Sequence, residues 1–589
     1  MAKFVLTWNN LSYSVYEKHG SSYCCRNQER KKIIIDNVSG TAFSGTVIAI
    51  LGVSGCGKTT LLTLLSGQRK GKGSLRLNGR VISDKMLRSN STFMQQKDIF
   101  IESLTVQEHL NFVAAMCLNK SHKARLITVN NLLKDVNIEP LRCQKIEQLS
   151  SGEKRKLSLA SNLLLEPYIM FCDEPTTGLD SFSAVSLINI LQNVAMTGKI
   201  VFLTVHQPSS HLFDMFDTII LLSTNGKVVF QGSKQNAISF FESQSLICPP
   251  SYNPADFFIN CIIEQSKFGK NKIDKMIEKF NTDYCLKLQF SEHDYTGLLL
   301  RKRQCQNNFF FVLAWMIWRI MIGMARDLRQ YVISFSLTLL TALIIGLTFS
   351  STQITDSSSV QNIQGALLLI VSELIFYQMY NVIYIFPGEI DIYIREKTLY
   401  EPLPYFLSKI LSLLPFCIVH TFGFLIIYFA CLPFLGGIEL FWQMYAILFG
   451  ASLGGSALGL CLSALFPSIE SIHLFIVPLE LICLLLSGLW IKITTLSNVF
   501  AVIKYFSPFY VSFESICITF WLKADRISKC HSIKNETNLC TGTEVLAHYG
   551  LNSEYTKVLN NYLYLIILIL VYCYIGYIGI LRKRALYHV

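Results

Sequence analysis

Charge is scarce in this chain. Of its 589 residues only 16% are Asp, Glu, Lys or Arg, while 51% are hydrophobic, and mean hydropathy is +0.39. A wholly soluble protein carries more charge than this, so a membrane-embedded portion is expected. Cysteines at C-x-x-C spacing are missing although the chain holds 18 cysteines, which argues against a zinc module. No signal peptide opens the chain: Met1-Ala-Lys-Phe-Val-Leu-Thr-Trp8 runs into polar sequence, so the first domain is expected to stay in the cytosol. The formal net charge of +12 is not gathered into one stripe with interleaved aromatics, so no nucleic-acid partner is expected. Arg301, Lys302, Arg303, Arg319, Arg326 and Arg329, like Arg582, Lys583 and Arg584, flank apolar segments instead. That is the placement of the positive-inside rule. At 589 residues the chain also outgrows one core, and at least two domains are expected.

What is present begins with a phosphate loop. Gly52-Val-Ser54-Gly55-Cys-Gly57-Lys58-Thr59 completes G-x-x-x-x-G-K-[ST]. It follows the apolar strand pattern Thr46–Leu51 and precedes a helical run from Thr60 to Ser66. Glycines let backbone amides close round a triphosphate, the lysine neutralises its charge, and the hydroxyl can ligate magnesium. Gly52, Ser54, Gly55, Gly57, Lys58, Thr59 and Thr60 are therefore the candidate ligands of ATP or GTP.

Further stations follow in order. Gln96 sits in Phe93-Met-Gln-Gln-Lys-Asp98, near the end of an expected strand. Ser150-Ser151-Gly152-Glu153 precedes a helical run. Tyr168–Phe171 is an apolar strand leading into Asp173-Glu174, and Pro175-Thr-Thr-Gly-Leu-Asp180 follows it. A second apolar strand, Ile200–Val205, ends at His206. A buried strand ending in Asp-Glu suits metal-assisted hydrolysis: Asp173 would hold Mg²⁺ and Glu174 would act as general base. His206, at the end of a neighbouring strand, would orient the attacking water.

This order resembles the nucleotide-binding domain of ABC transporters. By that resemblance Gln96 senses Mg²⁺ and couples to the membrane domain. Ser150 and Gly152 belong to a signature that closes over the nucleotide of a second subunit, and Asp180 makes a contact across that dimer. Ser151 departs from the family's glycine at its position, and its side chain is expected to crowd the phosphate or alter the backbone nest, slowing hydrolysis. Glu174 and His206 are both present, so the domain is not read as dead. The segments Cys172–Ser181, His206–Phe213 and Asn253–Phe258, with the nucleotide domain placed first, resemble the G subfamily, the White-type half-transporters. Arg395-Glu396, Tyr400 and Tyr405-Phe406 extend the likeness, while Arg326-Asp-Leu328 departs from it where the family often has proline.

The resemblance implies an α/β P-loop ABC ATPase domain followed by an all-α six-span transmembrane domain of the ABC G-subfamily type. The expected divisions are residues 1–265 for the nucleotide domain, 266–329 for a linker and an amphipathic connecting helix, and 330–589 for the membrane domain. Runs of about 20 apolar residues can cross the bilayer, and six are expected at 331–349, 363–386, 407–432, 441–466, 471–490 and 562–581. The proline-broken piece 499–521 reads as re-entrant or interfacial. Charge placement puts both ends of the membrane half in the cytosol and leaves 491–561 as an external loop. There Cys530 and Cys540 flank the sequon at Asn535, and a disulfide and a glycan are expected. Glu389, Arg395 and Glu396 are candidates for coupling to the nucleotide domain.

One nucleotide domain with six spans is half a transporter, so the resemblance implies a homo- or heterodimer in a lipid membrane, with ATP and Mg²⁺ as cofactors. The expected substrate is a small hydrophobic or amphipathic molecule (sterol, lipid or xenobiotic), with Phe376, Tyr377 and Tyr380 as candidate contacts. Two alternatives remain open: a pigment-precursor transporter, and a weakly hydrolytic partner subunit. The membrane is the plasma membrane or that of an intracellular vesicle. A soluble P-loop kinase or GTPase would not account for six spans.

Overall fold

The computed structural model describes residues 4–19, 28–250, 252–268, 274–280, 282, 308–350, 357–431, 437–490, 498–523 and 541–586. Contacts divide the chain into two compact units, Met1–Asn307 and Asn308–Tyr587.

In the first unit, short β-branched and aromatic runs make strands that bury both faces. β1 (Val5–His19), β2 (Gln28–Phe43), β4 (Lys72–Leu77) and β5 (Arg80–Val81) form an antiparallel sheet ordered β2-β1-β4-β5. A six-stranded sheet is ordered β10-β9-β3-β8-β7-β6. Its members are β3 (Val47–Gly52), β6 (Ser91–Met94), β7 (Ile169–Cys172), β8 (Ile200–Thr204), β9 (Thr218–Leu222) and β10 (Val228–Gly232). β6, β7, β8, β3 and β9 run parallel, and only β10 is antiparallel. Every residue of β3, β7 and β8 is buried, the near-continuous apolar pattern of a sheet covered on both faces. Phe171 stacks on Phe202 at 5.2 Å across neighbouring strands. Open parallel sheets bind ligands at the carboxyl ends of their strands. Here those ends are Gly52, Met94, Cys172 and Thr204, and the motifs above follow directly upon them.

The second unit is helical. Among the described residues, six helices are long and apolar enough to cross a membrane: Phe309–Arg326, Leu328–Phe349, Ser359–Glu396, Pro402–Cys431, Gly437–Leu465 and Tyr555–Ala585. Five coincide with expected spans; the sixth is not the one expected. The stretch 471–490 gives a helix of only 17 residues, Ile469–Leu485, with Pro478 inside it. Phe309–Arg326, expected as a surface helix, is long and apolar enough to span. Its Arg319 is buried and paired with Glu396 at 2.7 Å, which offsets the cost of a charge among apolar helices.

The piece at 499–521 is broken as expected, at Ser507-Pro508, and Pro508–Trp521 is buried on nearly every side. Glycines let the Gly437–Leu465 helix approach its neighbours closely, a common device among membrane helices. A Cβ at Gly455 would stand 2.5 Å from the Ile375 carbonyl, and one at Gly459 would stand 2.6 Å from the Met379 carbonyl. Cys530, Asn535 and Cys540 lie outside the described residues, so the expected disulfide and glycan are not addressed by this structure.

Candidate functional site

The phosphate loop turns sharply between β3 and the Lys58–Leu65 helix. Gly55 (φ 82°) and Gly57 (φ 100°) take left-handed conformations that side chains resist. Gly57 caps the helix without any side-chain hydrogen bond. Elsewhere in this unit Ser83, Thr105, Ser121, Ser150, Asp180, Ser209 and Ser233 cap their helices with a side-chain oxygen. The uncapped start at Gly57 leaves first-turn amides open to an anion, which fits a phosphate group. Lys58 is buried and donates to the Gly52 and Val53 carbonyls at 2.9 and 3.1 Å. A lysine satisfied only by carbonyls can exchange them for phosphate oxygens without leaving the loop. Ser54 and Thr59 are exposed and Thr60 is half-buried.

Three strand ends meet beside the loop. Asp173 is buried, and its Oδ1 accepts from Thr59 Oγ1 at 3.0 Å and from Thr204 Oγ1 at 2.7 Å. Thr204 Oγ1 in turn accepts from the Glu174 amide at 2.8 Å. Glu174 has a φ of 45°, unusual outside glycine. Its Oε2 accepts from Gln96 Nε2 at 2.7 Å and from Thr177 Oγ1 at 3.1 Å. Gln96, 78 residues from Glu174 in sequence, thus arrives at the same carboxylate. His206 is exposed, two residues past the end of β8. A hydroxyl and a carboxylate in contact, with a second carboxylate and an amide beside them, suit a Mg²⁺-nucleotide.

One residue was not legible in the motifs. Arg155 lies on the Ser151–Leu163 helix and is 3% exposed. Its guanidinium donates to the carbonyls of Gln95 (2.8 Å), Gln96 (2.7 Å), Glu174 (3.1 Å) and Pro175 (3.1 Å), and to Asp98 Oδ1 (3.1 Å). It ties the Gln96 segment to the Glu174 segment from beneath. A basic residue within Lys154-Arg155-Lys156 carries no sequence signal that singles it out from its neighbours, which read as a solvated face.

The signature residues begin that helix. Ser150 Oγ accepts from the Glu153 amide at 3.3 Å, and Glu153 Oε2 accepts from the Ser150 amide at 2.8 Å, a reciprocal capping box. Ser151 Oγ donates to the Gly178 carbonyl at 3.3 Å. Gly152 packs against Ser183, where a Cβ would be 3.3 Å from the hydroxyl. Asp180 caps the Ser181–Met196 helix through the Ser183 amide at 3.0 Å. Hydrogen bonds from Ser183, side chain and backbone, hold its carboxyl below the usual range.

In the helical unit the three aromatic candidates point to different neighbours. Phe376 packs on Phe509 at 4.9 Å. Tyr377 stacks on His420 at 4.7 Å and hydrogen-bonds to Ser334. Tyr380 donates to Glu480 Oε2 at 3.1 Å. Of the coupling candidates, Glu389 pairs with Lys409 at 2.6 Å, and Glu396 with Arg319 and the Tyr400 hydroxyl.

A nucleotide-type phosphate loop and paired carboxylates at parallel strand ends, followed by a bundle of long apolar helices, define a membrane transporter driven by an attached ATPase. Residues 35–177 match the ABC transporter family, and residues 312–521 match the ABC-2 type transporter membrane domain, a second form of which matches 206–291. The chain is 31% identical to "Protein scarlet" of Drosophila melanogaster over 98% of its own length and 89% of the relative's. It is 29% identical to "Protein white" of the same fly, covering 94% and 84% of the two chains. With "ABC transporter G family member 7" of Arabidopsis thaliana it shares 28% identity over 87% of this chain and 73% of the other. The chain belongs to the White-type, G-family ABC half-transporters. It is a multi-pass membrane protein that couples ATP hydrolysis to transport.

Proposed function

We propose that the chain works as one half of a dimer that expels small hydrophobic or amphipathic molecules, with Glu174 as the base for hydrolysis. The observation that carries this reading is the convergence on Asp173 and Glu174. Thr59 comes from the phosphate loop, Gln96 follows β6 and Thr204 ends β8, and all three hydrogen-bond to that acidic pair.

Lys58, the loop amides and Thr60 would hold the phosphates, and Thr59, Asp173 and Gln96 would hold Mg²⁺, which when bound neutralises phosphate charge. Glu174 takes the proton of the attacking water once it exchanges its bond to Gln96 for that water, and His206 orients the water. Ser150 and Gly152 close on the nucleotide of the second subunit, and Asp180 contacts that subunit. This explains why residues so exposed on one chain carry sequence motifs. The partner is a second copy or a related half-transporter. The apolar spans support a hydrophobic or amphipathic cargo.

The test is ATPase activity of the purified chain in lipid, with Glu174→Gln as control. The expected result is hydrolysis in the parent that falls at least about 100-fold in the variant, with ATP binding retained. Equal hydrolysis by both would refute the role given to Glu174. No hydrolysis by the parent alone, restored by a related half-transporter, would make the dimer a heterodimer.

A further inference from the structure

Two carboxylates in the apolar helices of the membrane unit, Glu480 and Glu373, stand without an ion pair among the described residues. Glu480 lies in the apolar Ile469–Leu485 helix, eleven residues from its start, about 16 Å along the axis. Its Oε2 accepts from Tyr380, while Oε1 is shut from solvent with no partner. Tyr380 lies parallel to the His473 imidazole at 6.4 Å, and Tyr384 hydrogen-bonds His473 Nε2 at 3.1 Å. Seven residues before Tyr380, on the same helix, stands Glu373, half-buried and without an ion pair. At 3.6 residues per turn Glu373 and Tyr380 share a face. Phe376, on that helix too, and Leu479 supply an apolar wall beside Tyr380.

A carboxylate among apolar helices, with one oxygen shut from solvent and unpaired, is costly and persists where something positive meets it. Here the surroundings are aromatic faces, a tyrosine hydroxyl and an unused carboxylate oxygen. That combination attracts a cation with an apolar body through its charge and through the ring quadrupoles. An anion would meet two carboxylates, and a neutral molecule would leave Oε1 buried and unpaired.

We propose that Glu480, Tyr380 and His473 form a head-group site for a cationic amphiphile: a small aromatic or apolar molecule bearing one amine or quaternary ammonium. The inference rests on the reading that the membrane domain carries hydrophobic or amphipathic molecules, and narrows it to cations. Glu480 supplies the counter-charge, Tyr380 holds that carboxylate in place, and His473 with Tyr384 walls the head group.

The test uses phenyltrimethylammonium and its uncharged carbon isostere, tert-butylbenzene, on the full dimer in lipid nanodiscs. ATPase stimulation and direct binding are measured for the parent, Glu480→Gln and Tyr380→Phe. The expected result is that the cation acts at about tenfold lower concentration than the isostere. Glu480→Gln should erase that preference while the response to tert-butylbenzene persists. Tyr380→Phe should reduce the preference by about threefold while keeping the packing of the ring. Equal responses to both probes in the parent, or a preference that survives Glu480→Gln, would overturn the proposal and leave the broader cargo reading intact. No binding of either probe would overturn both. Dissociation of the dimer in Glu480→Gln, seen by light scattering, would assign the carboxylate to a basic side chain of the second half and overturn it also.

Discussion

Replacing Arg155 by methionine tests whether the hydrolytic groups are positioned from beneath. The side chain is buried and makes five hydrogen bonds, four of them to carbonyls of Gln95, Gln96, Glu174 and Pro175. Each charge-assisted bond is worth about 1.5–3 kcal/mol, but five on one group are not additive. The better guide is the loss of one partner of a buried pair, here with Asp98 at 3.1 Å, at about 3–5 kcal/mol. That is a large part of a domain's stability of about 5–15 kcal/mol, so a clear fall in melting temperature is expected. A displacement of 1 Å at a reacting group costs about 100-fold in rate, and Gln96 and Glu174 are both released. Hydrolysis per folded molecule should therefore drop about 100-fold. ATP affinity should change less than about threefold, because Lys58 and Thr59 stand on a separate segment. Arg155→Lys keeps the charge, but one ammonium with three donors cannot span both strand ends. It should recover most of the stability and less than about a tenth of the rate. The assay is steady-state ATPase in nanodiscs, normalised by fluorescent-nucleotide binding. Parent-like hydrolysis in Arg155→Met, or binding lost in proportion to rate, would refute the positioning role.

Ser151→Gly should change the ATPase rate by less than about twofold, because the hydroxyl is engaged with its own Gly178 carbonyl and such a bond is worth only about 1 kcal/mol. A tenfold rise would show that the serine obstructs the site after all. Gly455→Val should destabilise the membrane domain by about 1–3 kcal/mol or prevent its assembly, since its Cβ would stand 2.5 Å from the Ile375 carbonyl. Detergent melting of the variant beside Gly388→Ala, where a Cβ meets nothing within 4 Å, checks this. For Asp180 the folded carboxyl is lowered by its bonds from Ser183, so its contribution is present above the unfolded value of about 3.9 and is lost as pH falls through the lower, folded value. Melting of the parent relative to Asp180→Asn should therefore converge as the pH drops below about 4, and a gap that widens there would contradict the sign.

The nucleotide half was readable because its chemistry is local. A phosphate loop needs glycines at fixed offsets, a lysine and a hydroxyl, and all lie within eight residues, Gly52 to Thr59. Strand and helix followed from apolar runs: Val47–Gly52, Ile169–Cys172 and Ile200–Thr204 form the strands that the pattern requires. Arg155 was not readable, since its role depends on two strand ends that are brought together only by β6 and β7 pairing in parallel.

In the membrane half, composition located five of the six long apolar helices found among the described residues. Phe309–Arg326 reads in the sequence as an amphipathic connecting helix, and only packing shows its Arg319 buried against Glu396, 77 residues away. The run at 471–490 was long enough on hydropathy, yet its helix stops at Leu485. Tyr377 and Tyr380 looked equivalent as aromatic positions three residues apart, but one meets His420 and the other meets Glu480. The sequence by itself determined the nucleotide chemistry, the membrane class and the family, because these depend on residue types at short, regular spacing. Only the tertiary structure decided which carboxylates are paired and which are left open, because that depends on contacts between segments far apart in the chain.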